Sequence, residues 1–117
     1  MKKVLPLLLF AMLAFAGCNT EPATFEFANN PRQLCENAEK FANEVAKKSK
    51  RYDAEDWEKA IQEFVQMGKN AFELRGKMTP EEQVRFNNAR MKFVGAIDAT
   101  GDESLSLHMK EEYSRIQ

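Results

Sequence analysis

The sequence predicts an all-α fold: a three-helix bundle, with a C-terminal tail that admits a short fourth helix. Three observations lead there. Apolar residues recur at spacings of three and four along three long stretches, the period of helices with one buried face. Each stretch opens on a residue that can cap a helix, and short connections separate them. The only strand-like alternation, Phe25-Glu26-Phe27, finds no second strand to pair with. Three amphipathic helices joined by short links can each bury one face against the other two. An elongated hairpin with the third helix splayed is the competing arrangement, because Gly68 and Gly95 can support bends or thin packing.

The first helix is expected over 31–48. Asn30 can cap it, Pro31 suits the first helical position and Gln33 falls at the third. Leu34, Ala38, Phe41 and Val45 form its stripe, widened by Cys35 and Ala42. It runs out in a basic cluster, Lys47, Lys48, Lys50 and Arg51, which suits the negative end of a helix dipole. The same cluster also offers a patch for anionic lipid. The second helix, expected over 53–75, has the clearest start. Asp53 caps, Glu55 and Asp56 place negative charge in the first turn, and Tyr52 with Trp57 occupies the two positions of a hydrophobic staple. Trp57, Ile61, Phe64, Gly68 and Ala71 share one face. Gly68, costly inside a helix, points to a close approach by a neighbouring helix or a bend. Gly76 is expected to end the helix in a left-handed conformation.

The third helix is expected over 79–99. Thr79 caps, Pro80 opens the first turn and Glu82 completes a capping box. Phe86, Ala89, Phe93, Ala96 and Ile97 make the inward stripe, flanked by Val84, Met91 and Val94. In the tail, 100–117, Leu105, Met109 and Tyr113 recur every four residues, but Leu107 breaks a strict stripe. A partly helical segment that docks loosely or extends past the bundle is expected there.

The N-terminus carries a different message. Lys2 and Lys3 precede an apolar run from Val4 to Ala16, too short to span a bilayer as a permanent anchor. The run closes on Phe15-Ala16-Gly17-Cys18, which resembles the lipobox of bacterial lipoproteins. Phe15 departs from the usual Leu at the first box position. The resemblance implies a signal peptide over 1–17, acylation of Cys18 and a lipidated tether over 18–30, ahead of the bundle at 31–99. The polar, proline-punctuated start of the tether is expected to be flexible. Residues 19–30, about a dozen, reach at most about 40 Å when extended. Phe25 and Phe27 are expected to cover one end of the bundle.

Cleavage before Cys18 would leave 100 residues, enough for one domain with a modest core. Without Lys2 and Lys3, 15 basic and 18 acidic side chains remain, a charge of −3. This mixed, mildly acidic surface argues against nucleic acid as a partner. With Cys18 acylated, Cys35 has no intrachain partner, and a half-buried free thiol is expected.

Little in the sequence points to catalysis or to a cofactor. His108 is the single histidine, so no HExxH-type zinc site is available. Cys35 and His108 as nucleophile and base lack an orienting third group. Asp53, Glu55, Asp56 and Glu58, or Glu81 and Glu82, are acids that helix starts account for, and none lies in an EF-hand loop. No glycine-rich phosphate loop occurs.

Tyr52-Asp53-Ala54-Glu55-Asp56-Trp57-Glu58-Lys59-Ala60, with Phe64, Leu74 and Thr79-Pro80-Glu81-Glu82, resembles small Bacteroidota lipoproteins of unknown function. That group joins a lipobox to Tyr-x-x-x-Asp-Trp-x-x-Ala and Thr-x-Glu-Glu helix starts. The likeness runs from Cys18 to about Ile97. It implies a helical bundle and an envelope location, and it carries over no catalytic residue.

The expectation for function is therefore a non-enzymatic envelope lipoprotein acting through protein contacts. Its partners would be the lipid bilayer, through acylated Cys18, and an envelope protein. The outer membrane is the expected site, with a periplasm-facing position favoured over the cell surface because Asn19-Thr20-Glu21 holds one acid. Seven phenylalanines follow the signal segment, more than a slim bundle is expected to bury. Phe25, Phe27, Phe72, Met109 and Tyr113 are the candidate contact residues. The alternative is a membrane-anchored module that binds a small apolar ligand or acts as an inhibitor.

Overall fold

The computed structural model describes residues 21–116. The expected signal segment, 1–17, and the expected acylation site, Cys18, lie outside the described residues. Four helices follow one another: α1 (Pro31–Lys48), α2 (Ala54–Leu74), α3 (Pro80–Asp98) and α4 (Glu103–Ser114). Single turns of 3-10 helix, Ser49–Arg51 and Arg75–Lys77, join the first three. Among the described residues there is no strand.

The helix starts follow the local chemistry of the sequence. The Asn30 side chain accepts from the Gln33 backbone N–H at 2.8 Å, while the Gln33 amide turns away to Asn37. Asp53 with Asp56, and Thr79 with Glu82, form complete capping boxes. The Tyr52 and Trp57 rings meet edge to face at 5.1 Å, closing the staple. Gly76 is a correction: it sits inside the second 3-10 turn, and among the described residues Gly101, at φ 75°, is the glycine with positive φ. The left-handed residue falls after α3 instead, where the chain must reverse sharply into α4.

Packing begins with α1 against α3. Cys35, Ala38 and Ala42 on α1, with Ala89 on α3, are small and buried, so these backbones come close. The pair runs parallel. Cys35 Sγ donates to the Glu82 carbonyl, Glu39 takes a two-point bond from Arg85 at 2.7 and 2.9 Å, and Lys92 donates to Asn43. The Arg85 guanidinium holds the Glu39 carboxyl below its usual range. Helix α2 lies antiparallel on the other side of α1, and α2 and α3 stand on a diagonal.

The diagonal gap is filled by rings and then by α4. Phe64 stacks on Phe93 at 5.2 Å, on Phe86 at 5.6 Å and on Tyr113 at 6.0 Å. Phe41 and Trp57 complete this centre. Helix α4 is thus a structural member of the body and does not dock loosely: Met109 is 4% exposed, and Leu105, Tyr113 and Ile116 pack on the core. The physical reason is that α1 cannot cover both inner faces of a diagonal pair. Leu107, off the stripe, is exposed. Gly68 makes the closure feasible, since a Cβ there would stand 2.6 Å from Tyr113 Cε1 and 2.8 Å from Ile116 Cδ1. Gly95 has open space around it.

The segment before α1 differs from the expected tether. From Glu21 to Asn30 it has no regular structure, but it is docked along α2 rather than capping one end of the bundle. Glu21 pairs with Lys59, the Phe25 N–H donates to Glu63 at 2.8 Å, and Ala28 exchanges two bonds with the Asn70 amide at 2.7 and 3.2 Å.

Candidate functional site

Among the described residues, Phe27, Phe72, Val84, Met91 and Leu107 are the exposed large apolar side chains, so Val84 and Met91, expected beside the inward stripe of α3, face outward instead. Of the seven phenylalanines after residue 17, Phe41, Phe64, Phe86 and Phe93 are buried, and Phe25 is half-buried. Phe27 is 46% exposed and Phe72 is 38% exposed. Met109 lies beneath α4, and Tyr113 is mostly buried with its hydroxyl pushed up by that burial, against the opposing effect of Arg90. The five candidate contact residues therefore divide. Met109 and Tyr113 build the core edge, while Phe27 and Phe72 offer surface.

They also fall on two sides of α2. A helix advances 100° per residue, so Phe72 sits roughly half a turn around from Glu63 and Asn70, which hold the N-terminal segment. On the Phe72 side, a groove of about 490 Å³ is lined by Gly68, Phe72, Met78, Phe86, Tyr113 and Ile116. The Arg75 guanidinium lies 3.8 Å above the Phe72 ring, a cation–π contact that holds the ring in place at the rim. Gly68 bottoms this groove for the same reason that it admits α4. A second hollow, about 370 Å³, opens between α3 and α4 over Ile97, Met109 and Tyr113, with Arg90, Asp98 and Lys110 around it. Tyr113 borders both.

The titratable groups considered for chemistry are dispersed. Cys35 is fully buried near the start of α1, and desolvation pushes its thiol up, which suits an inert core residue. His108 stands on α4 toward the other end, with Nε2 2.9 Å from Glu58 Oε1 but without hydrogen-bond alignment. Cys35 and His108 are not brought together. Asp53, Asp56 and Glu82 are occupied in capping boxes. Among the described residues no group of three or more His, Cys, Asp or Glu is placed to hold a metal ion.

Two residues with a positional role escaped the sequence reading: Glu63 and Asn70. Both are polar positions off the apolar stripe of α2, and neither is among the residues singled out above, yet Asn70 is 3% exposed. Its signal is its setting, a single amide among Met67, Ala71 and Leu74. Glu63 is half-buried, and desolvation pushes its carboxyl up, outweighing the bond from Phe25.

Among the described residues no helix is long and apolar enough to cross a membrane. Comparison with known proteins gives no match: no family model, no curated protein and no solved structure is similar to the chain.

Proposed function

We propose that the protein is a non-enzymatic lipoprotein of the bacterial envelope, held to the bilayer by acylated Cys18 and acting through contact with another envelope protein. The single observation that carries the contact reading is the Phe72 groove: a ring held at the surface by Arg75, beside an apolar floor made by Gly68, Phe86 and Tyr113. An aromatic anchor with a neighbouring pocket is the arrangement from which interface energy is concentrated. The lipid reading is supported by the Phe15–Cys18 box and by the likeness of Tyr52–Ala60 and Thr79–Glu82 to small Bacteroidota lipoproteins. An outer-membrane position facing the periplasm belongs to the same proposal.

The hollow between α3 and α4 favours a second reading. Its volume falls in the range of small-ligand sites, and its floor is apolar. Capture of the lipidated protein from its own envelope separates the two. A reproducible partner lost on Phe72→Asp, with helicity intact, supports the contact reading. A free monomer whose thermal midpoint rises with a small apolar molecule supports the ligand reading. Anchoring has its own test: Cys18→Ala is expected to release a folded protein from membranes, because a bilayer anchor of this kind rests on its acyl chains. Retention after a high-salt wash would overturn that expectation.

A further inference from the structure

The N-terminal segment and α2 run side by side in matched lengths. Phe25 to Ala28 spans three residues, about 10 Å when extended. Their partners Glu63 and Asn70 are seven residues apart, also about 10 Å along a helix. The segment therefore travels in the same direction as α2, and its earlier end lies at the start of that helix. Glu21 pairs there with Lys59, in a groove that α1 completes with Glu44 and Lys48. This is the corner where α1 ends and α2 begins.

We propose that residues 21–30 form a strap that keeps the α1–α2 corner around Lys50 at the lipid headgroups and leaves the far end of α2 free to stand away from them. The inference rests on acylation of Cys18. From Cys18 to Glu21 the chain has three residues, a reach of at most about 10 Å. The lipid surface must then lie within that distance of Glu21, whose side chain pairs with Lys59. The far end of α2, at Gly76, stands about 25 Å further along the helix axis. A free tether over 19–30 would impose no such order, since about 40 Å of chain lets any face of the bundle reach the membrane.

Charge does not do the seating. Lys47, Lys48, Lys50 and Arg51 are at this corner, but Asp53, Glu55 and Asp56 adjoin them. Asp102 and Glu103 stand at the same end, because α4 starts where α3 finishes, alongside the first turns of α2. The end is of mixed sign, so the placement of this corner is set by the strap and holds on a zwitterionic bilayer.

The test uses the full acylated protein on phosphatidylcholine vesicles doped with a nitroxide-headgroup lipid. A fluorophore is placed at Lys50→Cys or at Gly76→Cys, an open site with ordinary backbone. Cys35 is buried and does not compete for label. Quenching several-fold stronger at position 50 than at 76 is expected. Lys59→Ala, Glu63→Ala and Asn70→Ala together, which remove all three fastenings of the strap, are expected to bring the two sites together. Flotation with equal quenching at both sites overturns the strap, and so does a difference that persists after its release. Failure of the wild-type chain to float with the vesicles overturns the anchoring reading and the strap with it.

Discussion

The segment before α1 and the helix after α3 lie against opposite faces of α2, and different forces hold them. The strap is fastened by polar groups: a carboxylate, a carboxamide and an ion pair gripping an extended backbone. Helix α4 is held by apolar burial of Met109, Tyr113, Leu105 and Ile116. An extended segment has unpaired backbone groups that must find partners, so it can be held at a few points. A short helix has satisfied its own backbone and has only side-chain area to offer. The strap should therefore fail one bond at a time, and α4 as a unit.

The largest effect should come from the residue on which α4 rests. Phe64→Ala removes a fully buried ring in contact with four other rings and should cost about 3–5 kcal/mol. An unchanged thermal midpoint would show that the core lies elsewhere. Asn70→Ala acts on the other side. It leaves the Ala28 N–H and C=O without partners and should cost about 1–3 kcal/mol, confined to the strap. Hydrogen exchange should rise at Phe25 and Ala28 while Met109 to Tyr113 keep their protection. Loss of protection in both regions would mean that strap and α4 form one cooperative unit.

Gly68→Ala is the converse. The new methyl meets Tyr113 and Ile116 and displaces α4, at about 1–3 kcal/mol, while better helix propensity returns about 1 kcal/mol to α2. Exchange should quicken in α4 and stay slow at the strap, with a small net change in midpoint. The smallest effect concerns Tyr52, whose buried hydroxyl has no hydrogen-bond partner among the described residues. Burial first, then Asp56 and Glu44, push that hydroxyl up to about 12 from an ordinary 10.0. With the folded value raised, its contribution is whole below pH 10 and is lost as pH rises through about 12. Tyr52→Phe keeps the ring against Trp57, should stabilise by up to about 1 kcal/mol, and should flatten alkaline unfolding in that window. A steeper alkaline profile in the variant would contradict this.

Local chemistry by itself determined where the helices begin and which faces turn inward. Asn30, Asp53 and Thr79 cap because their side-chain oxygens reach backbone N–H groups two or three residues on, whatever the rest of the chain does. The stripe Leu34, Cys35, Ala38, Phe41, Ala42 and Val45 is buried in full, because a helix can hide only one continuous face. Tertiary structure alone decided the rest. Gly68 signalled a close approach without naming Tyr113, since a missing Cβ is visible in sequence but its neighbour is not. The candidate contact residues divided for the same reason. Periodicity places Met109 and Phe72 on apolar faces equally well, and only the diagonal of α2 and α3 buries the one and leaves the other at a rim. Asn70 and Glu63 were silent, because a polar side chain on a helix reads as solvated until a passing backbone, supplied from some forty residues away, gives it something to hold.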